Sequence, residues 1–184
     1  MRSARNGDDL YFWAYTLDRD DIVQELIDAC INHRVTVKIM LDKKMTFAGT
    51  TTHMFEQVAR LSSSGCLVRM ARVSTLDNEY FRAGRSVKRG LEGVSHAKAV
   101  LSGTWFLCGS TNWTTASRGN VERTVLVELS EHACRMQYAE ALNEWNRAEE
   151  FTEDLRRDQE IMRGRDGLAA RSRSEPASRC SFLD

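Results

Sequence analysis

Residues 10–41 read LYFWAYTLDRDDIVQELIDACINHRVTVKIML, and the fold turns on this stretch. Leu10 to Thr16 is aromatic and apolar throughout, the composition of a buried strand. Asp18 reads as an N-cap, with Asp20 and Asp21 in the first turn, where carboxylates meet the positive end of the helix dipole. Ile22, Val23, Leu26, Ile27, Cys30 and Ile31 then fall at helical spacing and form one apolar stripe. Val35 to Leu41 (VTVKIML) is β-branched and reads as a second strand.

Further along the chain the rhythm continues. After a loop at Asp42-Lys43-Lys44, Thr51 to Leu61 reads as a helix with Met54, Phe55, Val58 and Leu61 inward. It stops at Ser62-Ser63-Ser64-Gly65, and Cys66 to Val73 reads as a third strand. Strand–helix–strand–helix–strand is the pattern of a parallel sheet with crossover helices. The polar segment Ser74 to Gly93 breaks it. Ala97 to Leu101 and Trp105 to Cys108 then flank a tight turn at Ser102-Gly103-Thr104. Val121 to Leu129 reads as another strand. Ser130 caps a last helix that places Cys134, Tyr138, Ala141, Leu142 and Trp145 on one face. The fold class is α/β: a mixed sheet with helices on both faces, in a domain spanning 8–151. A polar extension, 152–184, is expected to be helical and then disordered.

Composition bounds the function. Among 184 residues, 26 Lys+Arg balance 26 Asp+Glu, which excludes coating of nucleic acid through net charge alone. The longest apolar run, Leu10 to Leu17, has eight residues, against the roughly 20 of a membrane span. No transmembrane segment and no secretory signal is visible. Five scattered Cys, without a CxxC or zinc-spaced Cys–His pair, read as reduced thiols of an intracellular protein. No cofactor is implied, and no metal site.

Chemistry concentrates in Ser95-His96-Ala97-Lys98, Cys108-Gly109-Ser110-Thr111-Asn112-Trp113-Thr114 and Asn120-Val121-Glu122. On a strand, His96 and Lys98 share a face. An ammonium there neutralises phosphate oxygens, and an imidazole attacks phosphorus or moves a proton. Gly109-Ser110 allows backbone N–H groups, the Ser110 hydroxyl and the Asn112 amide to converge on one oxyanion. Glu122 is placed to accept a proton from the far nitrogen of His96, fixing its tautomer. Alone, HxK also fits a half-exposed pair on a solvated strand face, and GSTN also fits a turn. Arg82, Arg85, Lys88 and Arg89 read either as a basic rim that steers a polyanion or as a solvated loop. Asp42 reads as a turn residue at the strand ends where α/β sites gather. Trp113 reads as packing.

Taken together, HxK, GSxN and NxE resemble the phospholipase D superfamily, whose signature is HxKxxxxD followed by GSxN. FWAYTLDRDDIVQELIDAC, VTVKIMLD and YAEALNEWNRAEEF extend the resemblance over about residues 10–151. A single motif in a short chain is similar to bacterial phosphodiesterase nucleases and mitochondrial cardiolipin hydrolase, and GSTNWT resembles the latter especially. The resemblance implies a phospholipase D-like fold and a metal-independent phosphodiesterase, with His96 as nucleophile forming a phosphohistidine. Lys98 and Asn112 would bind phosphate with Ser110, and Glu122 would hold His96. It also implies a homodimer, because two histidines must face one phosphorus. The substrate would be a phospholipid such as cardiolipin, or nucleic acid, and the location cytoplasmic or the mitochondrial surface.

Two departures stand out. The family Asp falls on Gly103 counted from His96, or on Ser102 counted back from Gly109, so no carboxylate is present. Only nine residues precede Leu10, where the family has a further helix and strand, so the N-terminus reads as truncated. The competing function is a catalytically impaired relative that binds phosphate or serves as a dimeric interaction module.

Overall fold

The computed structural model describes residues 7–47, 52–71, 75–82, 85–152 and 157, with the side chains of 52 and 75–92 outside that description. The chain falls into two units, Met1–Glu150 and Phe151–Asp184. The expected 152–184 extension lies almost wholly outside the described residues.

The elements run β1 (Asp9–Ala14), α1 (Asp20–Ile31), β2 (Thr36–Asp42), the one-turn α2 (Lys43–Thr46), α3 (Thr52–Ser63) and β3 (Leu67–Ala71). Then follow β4 (Thr75–Arg82), β5 (Arg85–Glu92), β6 (Ala99–Ser102), β7 (Trp105–Gly109), β8 (Thr124–Glu128), α4 (Glu131–Arg147) and β9 (Glu149–Glu150). The main sheet has the order β8-β7-β6-β1-β2-β3-β9. β1, β2 and β3 are parallel, joined by α1 and by α2–α3, while β6, β7, β8 and β9 run antiparallel to their neighbours. The sheet is therefore mixed.

Period-two alternation sorts β1 and β2 onto two cores. Leu10, Phe12, Val37, Ile39 and Leu41 are buried on the face that α1 and α3 cover with Val23, Leu26, Val58 and Leu61. Tyr11, Trp13, Met40, Ala99 and Leu101 form the opposite core with Ala141 and Trp145 of α4. Each fully buried Leu, Ile or Phe contributes about 1.5–3 kcal/mol. Polar tethers fix α4: Trp13 Nε1 donates to Glu144 at 2.7 Å, and Tyr138 Oη donates to the Asp9 carbonyl at 3.0 Å.

Several expectations are corrected. Asp18 does not cap α1: Arg19 holds the N-cap position without a side-chain capping bond, and the Asp18 carboxylate accepts from the Thr115 N–H at 2.6 Å. Lys43 and Lys44 sit in α2 rather than in a loop, because Asp42 accepts from the Met45 N–H at 2.8 Å and caps that turn. The segment after β3 does break the strand–helix rhythm, as expected, and what the sequence did not show is that β4 and β5 pair antiparallel there as a separate two-stranded sheet. Leu142, expected inward, is 46% exposed. β8 begins at Thr124 rather than Val121, because pairing with β7 starts at Gly109 opposite Thr124. All five β8 residues are exposed at the sheet edge. Among the described residues no helix is long and apolar enough to cross a membrane.

Candidate active site

The β6–β7–β8 meander assembles the three motif pieces. β7 returns beside β6, so Gly109 N–H reaches the Lys98 carbonyl at 3.3 Å. β8 returns beside β7, so Ser110 N–H reaches the Arg123 carbonyl at 3.0 Å, one residue from Glu122. β6 is antiparallel to β1, with Ala99 opposite Trp13. The motif therefore lies at the carboxyl ends of β1 and β2, the edge where α/β sheets gather their sites. Gly109 makes the close approach possible: a Cβ there would stand 2.3 Å from the Arg123 carbonyl oxygen.

His96 and Lys98 do not sit on the strand, as the sequence suggested. They occupy the unpaired segment just before β6, which starts at Ala99. They still come together. Lys98 Nζ lies 2.7 Å from His96 Nδ1, 2.8 Å from Nε2 and 2.9 Å from the His96 carbonyl. His96 is exposed, whereas Lys98 is buried. That burial lowers the Lys98 pKa, and the Glu122 charge opposes the shift.

Ser110 and Glu122 are linked directly: Ser110 Oγ donates to the Glu122 carboxylate. Asn120 Nδ2 donates to the same carboxylate at 3.1 Å, and Arg123 N–H donates to Ser110 Oγ at 3.1 Å. The Ser110 bond, the Asn120 bond and the Lys98 charge hold the Glu122 pKa below its ordinary value. In the single chain Glu122 thus takes Ser110 and Asn120 as partners, not the far nitrogen of His96. Asn112 carries a buried side-chain oxygen that accepts no hydrogen bond. Trp113 packs as expected, with its ring 5.0 Å from Phe12 and Nε1 donating to the Trp13 carbonyl at 2.8 Å.

Two neighbours were not anticipated in these roles. The Tyr15 ring lies 4.5 Å from the His96 ring and 5.1 Å from Lys98 Nζ. Its place one residue past β1 was the only signal, masked by the apolar run around it. Asp42 is 2% exposed and its second oxygen accepts from Ser95 N–H at 2.7 Å. The side chains of Arg82, Arg85, Lys88 and Arg89 lie outside the described residues.

The positions that lack the family Asp are elsewhere. Ser102 ends β6, and Gly103, with φ +58°, occupies the left-handed position of the two-residue hairpin turn. Ser102 stands four strand residues from Lys98, roughly 13 Å along the strand. The hairpin tip docks on α4 through the Cys134 thiol, 3.4 Å from the Gly103 carbonyl. The absent acid therefore belongs to the opposite end of the strand from His96.

The family model described as cardiolipin synthase, PLD-like domain matches residues 1–145. The chain belongs to this phospholipase D-like family. Among solved structures it is similar to Nuc, a phospholipase D family member from Salmonella typhimurium. That match has 20% identity, a TM-score of 0.61, and covers 82% of this chain and 85% of that one. It is also similar to NucT from Helicobacter pylori, at 15% identity and a TM-score of 0.59, over 81% of this chain and 84% of that one. These likenesses show a shared fold. No curated protein sequence matches the chain significantly.

Proposed function

We propose that this chain is a metal-independent phosphodiesterase that cleaves a phosphodiester through a phosphohistidine on His96. The observation that supports the reading best is the convergence of an exposed His96, a buried Lys98, Ser110 and Glu122 at one sheet end. Such an arrangement offers a nucleophile, a charge for the phosphoryl oxygens and polar groups to orient them.

In the free chain Lys98 covers the ring nitrogens of His96. A phosphate oxygen is a charged and therefore stronger acceptor. Substrate would draw Lys98 away and leave the imidazole lone pair free. A ring nitrogen of His96 then attacks phosphorus, and the P–O bond to the leaving group breaks. The leaving oxygen takes a proton from His96 of a second copy across a twofold axis. That second histidine next removes a proton from water, which attacks phosphorus and releases His96. Glu122 acts as a positioning residue through Ser110. The substrate class is a phospholipid, cardiolipin among them, or a nucleic acid backbone.

The test is hydrolysis of bis(p-nitrophenyl) phosphate by purified protein in EDTA, beside His96→Asn, with single-stranded DNA and cardiolipin vesicles as further substrates. Turnover that survives EDTA and disappears in His96→Asn is the expected result. Loss of activity in EDTA, or an active His96→Asn, overturns the reading.

A further inference from the structure

We infer that Asp42 is a positioning residue for His96; this rests on the function proposed above. Asp42 is 2% exposed at the end of β2, far in sequence from every motif residue. A buried carboxylate is costly unless its oxygens are satisfied. Here they are divided. Oδ1 accepts from Met45 N–H at 2.8 Å and caps α2, and Oδ2 accepts from Ser95 N–H at 2.7 Å. A cap alone needs one oxygen. The second ties the backbone one residue before His96 to the parallel half of the sheet.

This tie matters because the segment 93–98 has no strand pairing of its own until Ala99. Held only from its C-terminal side, the exposed His96 would wander relative to Tyr15, Lys98 and Ser110. Asp42 supplies the other anchor. Thr115 N–H is held in the same manner by Asp18 of the β1–α1 connection, so both halves of the motif are braced by carboxylates that follow or end the parallel strands. Asparagine cannot replace Asp42. Two N–H donors face the two oxygens, and an amide presents an NH2 group to one of them.

The experiment uses the full chain with 13C-labelled histidine and compares wild type, Asp42→Asn and Thr46→Val. Thr46 Oγ1 donates to the Asp42 carbonyl at 2.8 Å, so Thr46→Val loosens α2 without touching the Ser95 bond. The His96 ring resonance should shift or broaden in Asp42→Asn and stay in place in Thr46→Val, with both proteins folded at the assay temperature. Turnover per folded molecule on bis(p-nitrophenyl) phosphate should fall at least about tenfold in Asp42→Asn, mainly in kcat. An unmoved His96 resonance in folded Asp42→Asn, or an equal shift in Thr46→Val, overturns the positioning role. A shifted resonance in a protein whose wild type has no turnover upholds the positioning and sinks the proposed function instead.

Discussion

Gly109→Ala separates the stability of the sheet from the geometry of the site. The new Cβ would stand 2.3 Å from the Arg123 carbonyl oxygen and 2.7 Å from Cα and Oγ1 of Thr124. An unstrained carbon–oxygen contact is about 3.3 Å, so the end of β7 and residues 123–124 must part by about 1 Å. Two of the three colliding atoms are backbone, and no rotamer change relieves them. β8 is an exposed edge strand and can swing outward, so the fold should lose only about 1 kcal/mol, the low end for overpacking. The same swing draws Glu122 and Arg123 away from Ser110, beside the Lys98 ammonium. A 1 Å misplacement of a positioning group costs about a hundredfold in rate. Initial rates on bis(p-nitrophenyl) phosphate, normalised to folded protein by a urea transition, should fall by about that factor. Wild-type turnover in folded Gly109→Ala would refute the claim that the β7–β8 register sets the site.

Oxyanion binding should report the depressed Lys98 pKa. Tungstate affinity should fall as pH rises through a midpoint below 10.5, and Lys98→Met should abolish the dependence. The folded pKa lies below the unfolded one, so the Lys98 contribution to stability should rise with pH between the two values. The difference between wild-type and Lys98→Met urea midpoints measures it. Glu122→Gln keeps an acceptor for Ser110 but loses the charge, and kcat/KM should fall by about tenfold. Gly103→Asp restores the acid at the hairpin tip, roughly 13 Å or more from Lys98, and should change turnover by less than about threefold.

Much of the fold was legible because its apolar residues keep strict periods. Leu10, Phe12, Ile39 and Leu41 on the strands and Leu26, Val58 and Leu61 on the helices are all 0% exposed. Short or polar elements were not legible. β4 and β5 carry no clean alternation, and α2 is one turn created by Asp42. Val121 read as the start of a strand because it is β-branched, yet it is fully exposed, since the ladder to β7 begins three residues later. At the site, the spacing of His96, Lys98, Ser110, Asn112 and Glu122 was visible, and a three-strand meander brings the pieces together. The Glu122 partner was not, because it depends on how far Ser110 approaches residue 123 across Gly109. Tyr15 was hidden in an apolar run, and Asp42 looked like any turn carboxylate until its second oxygen met Ser95.

The central claim is covalent chemistry at His96, and rapid quench into alkaline denaturant with peptide mass spectrometry tests it most directly. With bis(p-nitrophenyl) phosphate, the account predicts a p-nitrophenyl-phosphoryl group on a ring nitrogen of His96, formed with release of one p-nitrophenolate and absent from His96→Asn. Turnover without any adduct on His96, or an adduct on another residue, would contradict it.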